Sequence, residues 1–129
     1  MESVPEYRWN TKRILVVEDD ESATFVVGDI LKNTGVHVAF VTGGEEAVKY
    51  ITEHPETDLI LMDIHLPGMD GFTATRKIKS IAENVVVIAQ TAYAFSIEYQ
   101  EAERAGCVAL LTKPLSPAML LEKINSYLA

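Results

Sequence analysis

A single cysteine among 129 residues rules out an internal disulfide, and Cys107 stands at the head of an apolar run, where a buried thiol is expected rather than a catalytic one. Positive charge is scarce. Eleven basic residues face nineteen acidic ones, and the formal charge of -8 repels nucleic acid and anionic membrane surfaces, since no local basic patch offsets it. No apolar run is long enough to cross a bilayer, and signal peptide, internal repeat and low-complexity tract are all missing, so a cytoplasmic, soluble protein is expected. Three histidines, His37, His54 and His65, show no ligand spacing, which argues against zinc. Gly43 and Gly44 form no phosphate-cradling loop, which argues against a bound nucleotide.

What the chain does have is short aliphatic runs that end in polar groups. Ile14–Val17 runs into Glu18 and Asp19, and Leu59–Met62 runs into Asp63. Val85–Ile88 leads to Thr91, and Val108–Leu111 leads to Lys113 and Pro114. Runs of this length bounded by charge read as strands buried on both faces. A further strand fits Val36–Val41.

Helical patterns fill the intervals. Residues 20–34 carry Ala23, Val27, Ile30 and Leu31 near helical spacing ahead of Gly35, and 45–53 carry Ala47, Val48 and Ile51. Residues 71–80 turn Phe72, Thr75 and Ile78 inward, and a fourth helix runs from Ser96, read as its cap, to Arg104. Ser116 and Pro117 suit a helix start, with Leu120, Leu121, Ile124 and Leu128 inward.

Five strand–helix repeats require crossover connections, and these give a parallel sheet with helices on both faces. The expected fold is α/β: a doubly wound, five-stranded, flavodoxin-like sheet in the order 2-1-3-4-5. That order brings Glu18, Asp19 and Asp63 together at the carboxyl edge of the sheet, where such folds bind ligands. With 48% hydrophobic residues, the chain fills one core. Residues 1–11 read as an irregular lead-in with Trp9 against the domain surface, and 12–129 as one domain.

The chemistry follows from the residue types. Clustered carboxylates repel one another, so at least one pKa should rise, and a Mg²⁺ ion relieves the strain. Asp19 and Asp63 suit direct ligation, with Glu18 acting through water. Asp63, alone at the end of its strand, suits nucleophilic attack on a phosphoryl donor. The Thr91 hydroxyl and the Lys113 ammonium can then cover the remaining charge on the phosphoryl oxygens. Taken singly, each residue has a plain structural reading: an acidic helix start, a turn former, a loop threonine, a solvated lysine. Their arrival at one sheet edge is what sets those readings aside. The isomer of the Lys113–Pro114 bond is left open.

These fragments together resemble the receiver domains of two-component response regulators: ILVVEDD at 14–20, DIHLPGMDG at 63–71, TAYA at 91–94 and TKP at 112–114, at matching intervals. The resemblance implies Asp63 as phosphoacceptor, Glu18 and Asp19 as the acidic pair, and the His65 main-chain carbonyl as a further Mg²⁺ ligand. It also implies switch and phosphate-pairing roles for Thr91 and Lys113, and a module that is not itself an enzyme. The implied partners are a histidine kinase or histidine phosphotransfer protein docking near the first helix, and a downstream protein or a second copy meeting residues 96–128. The protein would then be a monomer or a phosphorylation-dependent homodimer.

The chain departs from that pattern at Leu110, where the family commonly has an aromatic that swings inward. Tyr93 is in place to report the switch instead, or to cover the acceptor. With His65 it flanks the path of the hydrolytic water. The stretch Tyr7–Lys12 is similar to the linker before receivers of hybrid kinases. Two other readings compete: an aspartyl-phosphate phosphatase of haloacid dehalogenase-like type, and a receiver-like binding module that is never phosphorylated.

Overall fold

Central strands buried on both faces build the protein outward from its sheet. The computed structural model of the chain describes residues 6–128. Five strands, β1 (Arg13–Val17), β2 (His37–Val41), β3 (Leu59–Asp63), β4 (Val86–Thr91) and β5 (Ala109–Thr112), form a parallel sheet in the order 2-1-3-4-5. Five helices alternate with them: α1 (Glu21–Leu31), α2 (Gly44–Glu53), α3 (Gly71–Ile81), α4 (Ser96–Ala105) and α5 (Pro117–Leu128).

Odd and even strand positions feed opposite faces, as the two-residue period demands. Ile14, Val16, Leu59, Leu61 and Ile88 pack with Val27 and Leu31 of α1 and with Leu120, Ile124 and Leu128 of α5. Leu15, Val17, Ile60, Met62 and Val87 pack with Ala47 and Ile51 of α2 and with Ala74 and Ile78 of α3. A smaller cluster, Ile64, Phe72, Ala89, Ala102, Ala105 and Leu110, seats α4. All five residues of β3 are buried, so Asp63 ends the most enclosed strand of the sheet.

Helix starts are set by local chemistry. Asp20 accepts the Ala23 N–H and Asp70 accepts the Thr73 N–H, each satisfying an otherwise orphaned donor of the first turn. Gly35 and Gly106 end their helical segments with φ of 77° and 103°, conformations that L side chains resist. Gly71 is required for a different reason: a Cβ there would collide with the Asp63 main chain, so α3 begins hard against the end of β3.

Four sequence expectations need correction. Trp9 is buried at 4% exposure in the α1/α5 core instead of lying on the surface. Its Nε1 donates to Asn125 Oδ1 at 3.0 Å, its N–H donates to the Thr34 carbonyl, and Tyr7 stacks on its ring. The first five residues of the expected lead-in lie outside the described residues. Ser96 does not cap α4: Phe95 holds that position, which leaves the helix start without a side-chain acceptor. β5 begins at Ala109, one residue late: the Val108 N–H donates to the Val87 carbonyl of β4, but its side chain is exposed. Cys107 is only half-buried, in the turn between Gly106 and β5.

Candidate functional site

The carboxyl ends of β1, β3, β4 and β5 gather the polar residues that close each apolar run. Parallel register aligns Asp63 with Gln90 and Thr91 with Thr112, so the acceptor strand ends beside the threonine strand. The Lys113 N–H donates to the Thr91 carbonyl at 2.7 Å, which fixes the start of the lysine loop to the end of β4. The Lys113–Pro114 peptide is cis.

The Lys113 ammonium is the hub of the side-chain network. It lies 2.7 Å from Glu18 Oε1 and 3.1 Å from Asp63 Oδ2. The second oxygen of each acid takes a main-chain donor: Asp20 N–H reaches Glu18 Oε2, and His65 N–H reaches Asp63 Oδ1. Glu18 and Asp63 are buried, at 2% and 4% exposure, whereas Asp19 faces solvent. Buried acids in this state are tolerated because every charge has a partner.

Burial raises the Glu18 pKa above its ordinary value, with the Lys113 hydrogen bond opposing and nearby Asp63 adding to the rise. This is the upward shift that clustered carboxylates call for, although burial leads it. For Lys113, burial disfavours the ammonium, but the hydrogen bonds and charges of Glu18 and Asp63 outweigh it and hold the pKa above the usual lysine value.

Glu18, Asp19 and Asp63 each offer a carboxylate oxygen, all within 4.8 Å of one another. An all-oxygen set of this kind fits a hard cation such as Mg²⁺, which is held by a few carboxylates and keeps several waters. Lys113 supplies one positive charge to the two buried acids, so the cluster of three carboxylates is only partly neutralised and keeps net negative charge for a cation.

Thr91 is fully buried, and its hydroxyl lies 3.1 Å from His65 Nε2, 3.0 Å from the Tyr93 amide nitrogen and 3.1 Å from the Tyr93 carbonyl oxygen. The His65 and Tyr93 rings meet edge to face at 6.0 Å, and Tyr93 stacks on Phe95 at 6.4 Å. Leu110, at the position flagged as non-aromatic, points inward among Phe72, Ala89 and Ala102.

Glu18, Asp63 and Lys113 therefore form one network at this edge, with Asp19 in the acidic cluster and Thr91, His65 and Tyr93 beside it, whereas Leu110 lies in the core. Sequence reading missed three features. The His65 ring bonds to Thr91, where the sequence reading had placed it only beside the path of the hydrolytic water. Phe95 extends the ring row to the start of α4. Gln90 is buried with its amide nitrogen unpartnered, a polar residue in a run that reads as apolar.

The profile of the response regulator receiver domain family matches residues 14–125. The polar-differentiation response regulator DivK of Brucella ovis is 36% identical over 92% of this chain and 97% of its own length. Among solved structures, the receiver domain of a sensor histidine kinase from Pseudomonas aeruginosa, with magnesium coordinated in its active-site cleft, superposes with a TM-score of 0.83. It is 33% identical, with 91% of this chain and 97% of that one covered. CheY in its complex with CheX, beryllium trifluoride and magnesium from Borrelia burgdorferi gives a TM-score of 0.84 at 27% identity, covering 89% of this chain and 87% of that one.

Proposed function

The chain belongs to the response regulator receiver domain family, the receiving modules of two-component signalling, and on that premise we propose that Asp63 accepts a phosphoryl group from a phosphohistidine of a partner protein. The observation that carries this reading is the Lys113 ammonium bridging two buried acids, one of which ends the central strand alone. An Asp63 oxygen attacks phosphorus, the phosphorus–nitrogen bond of the donor breaks, and the imidazole leaves with the electron pair and takes up a proton. The product is an acyl phosphate.

The residues act by position and charge, which is most of what phosphoryl transfer asks of a protein. Lys113, already held 3.1 Å from Asp63 Oδ2, pairs with a phosphoryl oxygen. The Thr91 hydroxyl serves another. Glu18, Asp19, Asp63 and the His65 carbonyl would hold Mg²⁺, whose contribution is to neutralise charge on the transferring group.

Two surfaces support the partner assignments. Beside the acids, a cavity of about 500 Å³ is lined by Ala23, Val26 and Val27 of α1 and by Pro114 and Leu115, and Phe25 stands exposed near its rim. An apolar recess next to the acceptor suits the helix that presents the donor histidine, in a histidine kinase or histidine phosphotransfer protein. On the other side, Ile97 and Tyr99 of α4, Val108 just ahead of β5 and Met119 of α5 are exposed, and this face suits the output partner or a second copy.

Tyr93 and His65 shield the acceptor from hydrolytic water, giving the acyl phosphate a long life. Tyr93→Ala should shorten the dephosphorylation half-life; an unchanged half-life would remove the shielding role. The acceptor itself is tested by borohydride reduction, which converts an aspartyl phosphate to homoserine. After incubation with acetyl phosphate and Mg²⁺, peptide mapping should find homoserine at position 63, and homoserine elsewhere would displace Asp63 from this role.

A further inference from the structure

His65 is the one described residue bonded both to the acceptor and to the switch hydroxyl: its N–H reaches Asp63 Oδ1 at 2.9 Å, and its Nε2 reaches Thr91 Oγ1 at 3.1 Å. A hydroxyl has one proton and two lone pairs. The Thr91 proton goes to the Tyr93 carbonyl, and one lone pair accepts the Tyr93 N–H. With the proton so placed, the remaining lone pair is left for His65, a pairing that requires the tautomer with hydrogen on Nε2. Thr91 is thus saturated: every bond its hydroxyl can make is made, inside a buried site, to His65 and Tyr93.

We propose that the His65 side chain is a latch on Thr91 that holds the unphosphorylated state, and that its release is read through the row of rings His65, Tyr93 and Phe95 instead of through position 110. The proposal rests on the phosphoacceptor reading and names its control element. For Thr91 to serve a phosphoryl oxygen, its proton must leave the Tyr93 carbonyl, and the hydroxyl must turn away from both partners. The His65 bond opposes that turn. When it gives way, the ring edge-on to Tyr93 loses its anchor, and Tyr93 is stacked on Phe95, the residue immediately before α4. Tyr93 and Phe95 are 59% and 64% exposed, so they can move without repacking the core. Leu110 cannot substitute: it is already packed inward at 9% exposure, with no polar end to follow the hydroxyl.

His65 is exposed, so substitution there leaves the fold intact, and its main-chain N–H and carbonyl survive any change of side chain. Three readouts test the latch. In the resting protein, long-range proton–nitrogen NMR should find the His65 proton on Nε2; a proton on Nδ1 alone would overturn the donor assignment, whatever the fate of phosphorylation. With Mg²⁺ present, beryllium fluoride should bind His65→Phe about 2- to 12-fold more tightly than the native chain, the range expected when one net hydrogen bond is lost from the unphosphorylated state only. His65→Gln, whose amide can replace the Nε2 donor, should bind within about twofold of native on the same scale. Equal or weaker binding by His65→Phe, or failure of the glutamine to restore native affinity, would refute the latch. On saturation the Tyr93 and Phe95 ring resonances should shift while the Leu110 methyls stay put; the reverse pattern would refute the relay. Failure of the native chain to bind beryllium fluoride with Mg²⁺ is a separate result, and it would count against the phosphoacceptor reading itself.

Discussion

Each polar residue at the sheet edge is defined by what its neighbours leave it to do. Lys113 is held above its usual pKa by two acids and is charged at any physiological pH. Lys113→Met keeps the stem and removes the charge, leaving Glu18 and Asp63 without their shared cation. Phosphorylation by acetyl phosphate, followed as a mass-resolved time course, should then slow by about a hundredfold, the scale for losing one preorganised charge-stabilising donor. Cys107 differs in kind: burial, moderated by Thr75 and Lys79, pushes its thiol up to about 11. A raised thiol pKa leaves less thiolate at any lower pH, so alkylation by iodoacetamide should be slow near pH 8 and accelerate until about pH 11. A rate that levels off near pH 9 would show an ordinary, open thiol.

At the scale of elements, strands were legible where apolar runs are short and bounded by charge, and helices where apolar residues recur at helical spacing. Asp70 and Asp20, which were not singled out as caps, cap their helices; Ser96 looked like a cap, yet Phe95 takes the position, its ring stacked on Tyr93. Strand ends drifted by one to three residues because hydrogen-bond register, which a sequence does not display, decides where pairing stops. β4 runs on through Gln90 and Thr91, since both are paired to neighbouring strands. Asp70→Ala should cost about 1 kcal/mol in urea unfolding, the usual value of an N-cap. Hydrogen bonds to Thr73 hold the Asp70 carboxyl below its ordinary pKa despite some burial. Its contribution is thus present above the unfolded pKa and lost as pH falls through the lower folded one, so the gap between Asp70→Ala and native should close in acid.

Across the whole molecule, the fold order and the convergence of Glu18, Asp63, Thr91 and Lys113 were legible because a parallel five-stranded sheet leaves its strand ends few other places to go. What was not legible was long-range side-chain contact. Nothing in the sequence ties Trp9 to Asn125 or the His65 ring to Thr91, since each pair meets only through tertiary packing. Trp9 makes the point for stability. Buried between α1 and α5, it joins the segment before β1 to the core, and Trp9→Ala should cost about 3–5 kcal/mol in urea unfolding. A loss under about 1 kcal/mol, the scale of a surface substitution, would return that segment to the role of a loose lead-in.

The central claim is that Asp63 receives a phosphoryl group in a site that needs a divalent cation. Intact mass after incubation with acetyl phosphate, with and without Mg²⁺, measures it directly, with Asp63→Asn as the comparison. One phosphoryl adduct, dependent on Mg²⁺ and absent from Asp63→Asn, is the predicted result. An adduct that survives in Asp63→Asn, or phosphate released catalytically with no adduct on the native chain, would contradict it.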